Sequence, residues 1–325
     1  MAIKAMLIGG GGMGIMHGKN FAKHPDCELL AVCDMDAERL DVMKKEFPDL
    51  PAYPSIDELL ANCDADLALM ITNETLRVQP CVQLLQAGRH VFTEKPLHSR
   101  KNQFNIDDED GKVGWQVIDA ARKSGKRFGI DYNYHYFPHF AKLNEAVVSG
   151  QLGTPRLVWA RAHFNCWSHI IDQILWNMGR PEWVYTIGDC TKENWTRLIH
   201  MKWSNGAEGE LGGSLDWGYD DGPLKVMICG DKAYGTALGL EGLYTLRKAG
   251  SWPCEELERW EGQAAYNDSF THMADAVIKT MLAGEPMPVG DQATWDEQVF
   301  EAAVYRSAKT GQRVVLDEID QELQS

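Results

Sequence analysis

Residues 3–14 read IKAMLIGGGGMG, a short apolar, strand-forming run that ends abruptly in glycine, and a helix candidate, IMHGKNFAKH at 15–24, follows at once. Gly9, Gly11 and Gly14 therefore stand as G-x-G-x-x-G between a strand and a helix. In that setting glycines permit a tight turn, close approach of a pyrophosphate and tight helix–strand packing. The helix N-terminus adds N–H donors and partial positive charge for the phosphates. Asp34 ends a second apolar run, ELLAVCD, where a carboxylate can accept hydrogen bonds from both adenosine ribose hydroxyls. A 2′-phosphate there would face Asp34 and Asp36, with Arg39 several residues on, so NAD is expected over NADP.

Outward from this turn the pattern repeats. LALMIT, HVFTE and RFGIDYN read as further strands with amphipathic stretches between them, up to about residue 131. Strands alternating with helices predict a doubly wound parallel α/β sheet, a Rossmann domain. From about residue 155 the strand-like segments lengthen (RLVWARAHF, WTRLIHMKW, AEGELGGSL, LKVMICG, LYTLRK) and are joined by turn signals such as SNG. That half reads as an α+β domain with a large, mainly antiparallel open sheet. The change places an NAD-binding domain at 1–131 and a substrate-binding and oligomerisation domain at 132–325. A length of 325 residues exceeds what one core usually supports, which agrees with two domains.

Composition narrows the partners. With 47 acidic against 32 basic side chains the net charge is -15, which repels phosphate backbones and anionic lipid, so neither nucleic acid nor a membrane surface is expected as a partner. The apolar N-terminal run is too short for a signal sequence, and nothing else approaches a membrane span. The eight cysteines (Cys27, Cys33, Cys63, Cys81, Cys166, Cys190, Cys229 and Cys254) form no C-x-x-C pair. A cytoplasmic location fits them.

Four other stretches are candidates for chemistry. In HVFTEKP, Lys95 follows a predicted strand and precedes Pro96, a surface turn on its own terms but one delivered to the ligand-binding edge of a doubly wound sheet. In SHIIDQILW, His169 and Asp172 lie one helical turn apart beside an apolar face. His135 and His139 have metal-ligand spacing, but Pro138 marks a helix start and no H-E-x-x-H glutamate accompanies them, so no metal is expected. The acidic run Asp107, Asp108, Glu109 and Asp110 is expected as a solvated loop. Most tryptophans fall in the second half, and Trp159, Trp176, Trp203 and Trp217 are expected at an interface or in the core.

MLIGGGGMGIMHGKNF, ELLAVCDMDAERL, LQAGRHVFTEKPL, NYHYFPHFAKLNEAVVSGQLGTPRLVWARA and SHIIDQILWNMGRPEWV together resemble successive landmarks of the glucose-fructose oxidoreductase, inositol dehydrogenase and MocA (Gfo/Idh/MocA) family. The resemblance implies that Gly12 and Met13 in the turn, Thr72 at the end of LALMIT and Asn73 just after it, and Glu94 and Lys95 line the cofactor. It implies a tight turn at Pro96, often with a cis Lys–Pro bond, aiming the Lys95 ammonium at the reacting oxygen, with Glu94 as a positioning group. It places the family's active-site histidine at His169 and a substrate-binding or orienting carboxylate at Asp172, and sets His135 at the pocket border. Trp167, beside the motif, is expected to reach substrate.

There are departures. Asn165 stands where many relatives have Asp, and an amide orients a hydroxyl without taking its proton. The segment before CWSH is short, Asn73 replaces a usual Pro, Arg77 stands where His is common, and about ten residues are added around KNQFNIDDEDGK.

The expected function is an NAD-dependent oxidoreductase acting on a CH–OH group of a sugar, polyol or sugar derivative, as a homodimer or homotetramer through the C-terminal sheet. Two alternatives stay open. One is a redox-neutral glycoside-processing enzyme with tightly bound NAD, working by transient oxidation with elimination or epimerisation; the other is a non-enzymatic, dinucleotide-sensing regulator.

Overall fold

Strand register explains why residues far apart in sequence meet at one edge. In a computed structural model, which describes residues 2–188, 196–215 and 224–325, the chain divides into two units. Trp217 and Cys190, named above, lie outside the described residues. The first unit comprises Met1–Arg100, Val113–Tyr132 and Phe270–Trp295; the second comprises Lys101–Lys112, Asn133–Ser269 and Asp296–Ser325.

The first unit holds six strands: β1 (Ile3–Ile8), β2 (Cys27–Cys33), β3 (Ala52–Tyr53), β4 (Leu67–Met70), β5 (His90–Thr93) and β6 (Phe128–Ile130). Their order is β3-β2-β1-β4-β5-β6, all parallel, which is the doubly wound Rossmann arrangement. Every residue of β4 is buried, as a strand covered on both faces requires. The last residues of the strands lie in register: Ile8 pairs with Cys33 and with Met70, Met70 with Thr93, and Thr93 with Ile130. The residues that follow (Gly9, Asp34, Ile71, Glu94 and Asp131) therefore share the carboxyl edge. Helices α1 (Gly12–Lys23), α2 (Ala37–Glu46), α3 (Ile56–Asn62) and α4 (Val78–Gln86) return the chain between strands. Asp36 caps α2 by accepting from the Glu38 and Arg39 N–H groups.

The second unit carries a nine-stranded sheet, with β7 (Pro155–His163), β8 (Trp183–Ile187), β9 (Thr196–Lys202), β10 (Glu208–Ser214), β11 (Leu224–Gly230), β12 (Ala233–Leu238), β13 (Leu243–Lys248), β14 (Glu256–Arg259) and β15 (Val314–Val315). The order is β14-β13-β12-β11-β7-β10-β9-β8-β15, antiparallel except for the β7–β10 pair. Burial alternates along β9, as expected for a sheet with one covered face. Leu157, Trp159, Ile187 and Leu198 stand exposed, and the register sets them on a common face.

The acidic run is not a solvated loop. Asp107 caps the start of α5 (Asp108–Ser124) by accepting from the Glu109 and Asp110 N–H groups, and the buried Asp110 accepts in return from the Asp107 N–H. Arg306 pairs with Asp108 at 2.8 Å, so the negative charge is spent on a helix start and an ion pair. Just upstream, Phe104 stacks on Phe164, and the buried Arg197 donates to the Phe104 carbonyl and the Asn105 side chain.

Candidate active-site edges

The glycine turn is dictated by contact. Gly9 has φ +111°, and a Cβ there would lie 2.1 Å from the Ile71 carbonyl oxygen; a Cβ on Gly14 would lie 1.9 Å from the Gly9 oxygen. Over Gly11 and Gly12 a Cβ would meet nothing within 4 Å, so space lies open before the N-terminus of α1. That helix has no side-chain cap and no acidic residue in its first turn, which leaves its N–H groups for an anion. Gly12 and Met13 are exposed at this opening. Asp34 accepts from the Gly10 N–H at 2.6 Å and the Asp36 N–H at 2.8 Å, so its first task is to brace the turn. A carboxylate has about four acceptor positions, and those left are available to ribose hydroxyls. The edge fits a dinucleotide.

The E-K-P turn follows β5 on the same edge. The Lys95–Pro96 bond is cis, and Lys95 is half-buried. The Glu94 carboxylate accepts the Lys95 backbone N–H at 3.0 Å and meets His17 Nε2 at 2.9 Å; His17 Nε2 also lies 3.3 Å from Asp131 Oδ2. Burial pulls the His17 ring down, but hydrogen bonds to Asp131 and Glu94, with their charges, raise its pKa to about 9. Burial, with Glu94 beside it, raises Asp131 to about 6 against the pull of His17. Burial also pushes Glu94 up, yet the cations His17, Lys95 and Arg77 hold it below the ordinary range. On the other side Arg77, fully buried, donates to the carbonyls of Glu94, Pro96 and Thr72. Asn73 is exposed and its side chain accepts from Thr75.

In the second unit, α7 (Trp167–Met178) carries the predicted helical pair, preceded by a 3-10 turn at Phe164–Cys166. The His169 ring lies flat on Tyr134, with centroids 4.4 Å apart and planes 5° from parallel. Asp172 pairs with His135 Nε2 at 2.7 Å, and the His135 ring stacks on Trp176 at 3.8 Å. Burial raises the Asp172 pKa against the opposing pull of His135. His169, Asp172 and His135 are thus joined to one helix and the turn before α6 (Pro138–Val148). His139 is not beside His135 as a second ligand; it is wholly buried among Phe137, Phe140 and Trp260, and burial lowers its pKa to about 4. Asn165 is exposed on the 3-10 turn, its N–H donating to His163 Nδ1.

One expectation is corrected. Trp167 does not present a face to substrate; it is fully buried, packs edge-on to Phe164, and donates its indole N–H to Glu301 at 3.1 Å. Burial, with Glu297 alongside, raises the Glu301 pKa well above the carboxylate range. Trp203 is likewise core, whereas Trp159 stands on the open sheet face.

Residues 3–132 match the family model GFO_IDH_MocA, described as "Oxidoreductase family, NAD-binding Rossmann fold". These residues are a Gfo/Idh/MocA NAD-binding domain. A myo-inositol 2-dehydrogenase of Thermotoga maritima is 28% identical over 152 residues, 47% of this chain and 42% of that relative. The chain therefore matches less than half of that relative's length. D-glucoside 3-dehydrogenase of Escherichia coli is 22% identical over 364 residues, covering 97% of each chain. In fold, the chain is similar to the WlbA dehydrogenase of Bordetella pertussis, crystallised with NADH and UDP-GlcNAcA, with TM-score 0.79, 20% identity and 97% and 99% of the two chains covered.

The Gfo/Idh/MocA domain also contains residues that the motif reading passed over. His17 lies inside the quoted helix, Asp131 inside RFGIDYN, and Arg77 was noted only as a departure. The signal available was register: Asp131 follows the strand next to β5, and a charged residue there is placed beside Glu94. In the second unit Tyr134 and Trp176 were missed as ring partners; spacing along the chain does not reveal stacking.

Proposed function

We propose that this chain is an NAD-dependent oxidoreductase that moves a hydride between nicotinamide and a carbinol carbon of a sugar, polyol or sugar derivative. The observation that carries the reading is the half-buried Lys95, at the same carboxyl edge as the glycine turn, on a loop whose Glu94 carboxylate and Glu94 and Pro96 carbonyls are engaged. The full-length likeness to a D-glucoside dehydrogenase supports the substrate class. When bound, NAD supplies the two-electron hydride acceptor. Lys95 donates a hydrogen bond to the reacting oxygen and stabilises negative charge on it. His169 takes the hydroxyl proton, so the alcohol loses one hydride and one proton and becomes a carbonyl. Asp172 and His135 orient the neighbouring hydroxyls, and Asn165 contributes an amide where a carboxylate is usual. The exposed face bearing Leu157, Trp159, Ile187 and Leu198 supports a homodimer or homotetramer.

The test is absorbance of NADH during incubation of the chain and NAD with a panel of polyols, free sugars and glycosides, with chromatography of the products. Net NADH is expected. Product without net NADH would replace this reading with the redox-neutral one, and binding of NAD with no product from any member would leave the sensing regulator.

A further inference from the structure

His17 and Asp131 lie wholly buried against Glu94 of the E-K-P turn, itself largely buried, and the reaction proposed above gives His17 no task. Packing alone does not call for a histidine there. The ring sits edge-on to Phe92 and Phe270, and an apolar side chain in that space would avoid desolvating an ionisable group. What the ring does instead is fix a carboxylate. We propose that His17 is a positioning residue for Lys95, acting through Glu94; this rests on the reading that Lys95 meets the reacting oxygen.

The argument follows the bonds. His17 Nε2 holds Glu94 Oε1 at 2.9 Å, and the other oxygen of that carboxylate receives the Lys95 backbone N–H at 3.0 Å. Arg77 takes the carbonyls on either side, those of Glu94 and Pro96. The backbone carrying Lys95 is thereby gripped between two buried cations, one acting through the carboxylate and one through the carbonyls. Asp131 is the second anion facing His17, and its backbone N–H ties it to the Thr93 carbonyl at the end of β5. Lys95 and Arg77 complete the charges that reach Glu94; the two phenyl rings bring none. Two cation-holding carboxylates explain why His17 stays charged although enclosed. Among the described residues this is also the one group that brings three potential metal-ligand atoms together. His17 Nε2 lies 2.9 Å from Glu94 Oε1, the distance of a direct charge-assisted hydrogen bond, and 3.3 Å from Asp131 Oδ2, an ion-pair contact, so no cation is required to hold the group. Because misplacement of a reacting group by about 1 Å can lower turnover by roughly 100-fold, a grip of this kind matters to the rate rather than to affinity.

The experiment reads Lys95 without needing a substrate. The NADH-bound chain is treated with limiting acetic anhydride at pH values from about 7 to 10, and acetylation of each lysine is measured by peptide mass spectrometry. In His17→Gln, labelling of Lys95 is expected to change by about threefold or more relative to the exposed Lys279, with NADH affinity by fluorescence titration within about twofold of wild type. Unchanged Lys95 labelling in folded His17→Gln, even with a lowered melting temperature, overturns the proposal. Glu94→Gln keeps an acceptor for the Lys95 N–H but removes the charge, and decides the matter in the same way should His17→Gln not fold. If EDTA treatment of wild type alone reproduces the His17→Gln labelling, the three residues form a metal site and the proposal falls. Altered labelling in His17→Gln together with wild-type turnover in Lys95→Ala would uphold the grip and sink the proposed role of Lys95.

Discussion

The glycine-rich edge of the first unit and the helix bearing His169 in the second hold their candidate groups by different means. At the first, backbone does the holding: the Gly10 and Asp36 N–H groups fix Asp34, and three carbonyls fix Arg77. At the second, rings do it: Tyr134 lies flat on His169 and Trp176 on His135. A site built from backbone tolerates little change in shape, because main-chain atoms cannot repack. A site built from stacked rings tolerates any flat replacement of similar size.

The severest test of that difference is Gly9→Ala. With φ +111° and a Cβ 2.1 Å from the Ile71 oxygen, the substitution is expected to destabilise the chain by about 3 kcal/mol or more and to abolish NADH binding, read by chemical denaturation and fluorescence titration. A Gly9→Ala chain that binds NADH normally would show the turn to be deformable. Next comes Lys95→Ala, which should lower turnover by ~100-fold or more with NADH affinity nearly unchanged, because the ammonium acts on the reacting oxygen. Equal losses in NADH affinity would make Lys95 a cofactor ligand instead. On the ring side, Tyr134→Phe should match wild type in turnover while Tyr134→Leu falls by roughly fivefold, since only the first keeps a face for His169. If both variants fall alike, the tyrosine hydroxyl, and not the stack, is what matters.

The smallest effect concerns pH. The folded-state pKa of His17 is raised from 6.5 to about 9, so its contribution to stability is complete below pH 6.5 and is lost as the pH climbs through about 9. Urea denaturation at the two ends of that window should show wild type losing on the order of 1 kcal/mol more than His17→Gln. Parallel curves would mean that the ring is neutral throughout.

The same contrast governs how much of the molecule could be read from its residues. Gly9, Gly11 and Gly14 between a strand and a helix leave few folds open, and Asp34 and Lys95 then fall at strand ends by counting. The antiparallel second sheet was visible as long alternating strands, but its parallel β7–β10 pair was not, because pairing order leaves no local mark. The acidic run misled for a physical reason: charge at a helix start and charge in solvent look alike until Asp107 and Asp110 are seen to cap each other. Trp167 misled too, since adjacency to His169 in a helix turns the two side chains about 200° apart. His17, Arg77 and Asp131 act through partners distant in sequence, and only the register of β5 and β6 brings such residues together.

The division of the chain into three segments per unit has a consequence for anyone who would separate the parts. A polypeptide cut after residue 131 lacks Val289, whose carbonyl receives the Ile130 N–H, and Gly290, which bridges to Gly129, and it loses the Phe270 ring that walls His17. The sixth strand would keep its neighbour on one side only, and a buried charge network would open to water. A transplantable dinucleotide module from this chain must carry residues 270–295 as well, so exchange of halves by a single crossover between related genes is a poor route to new specificities here. Variation is better accommodated within an interleaved frame, one loop at a time.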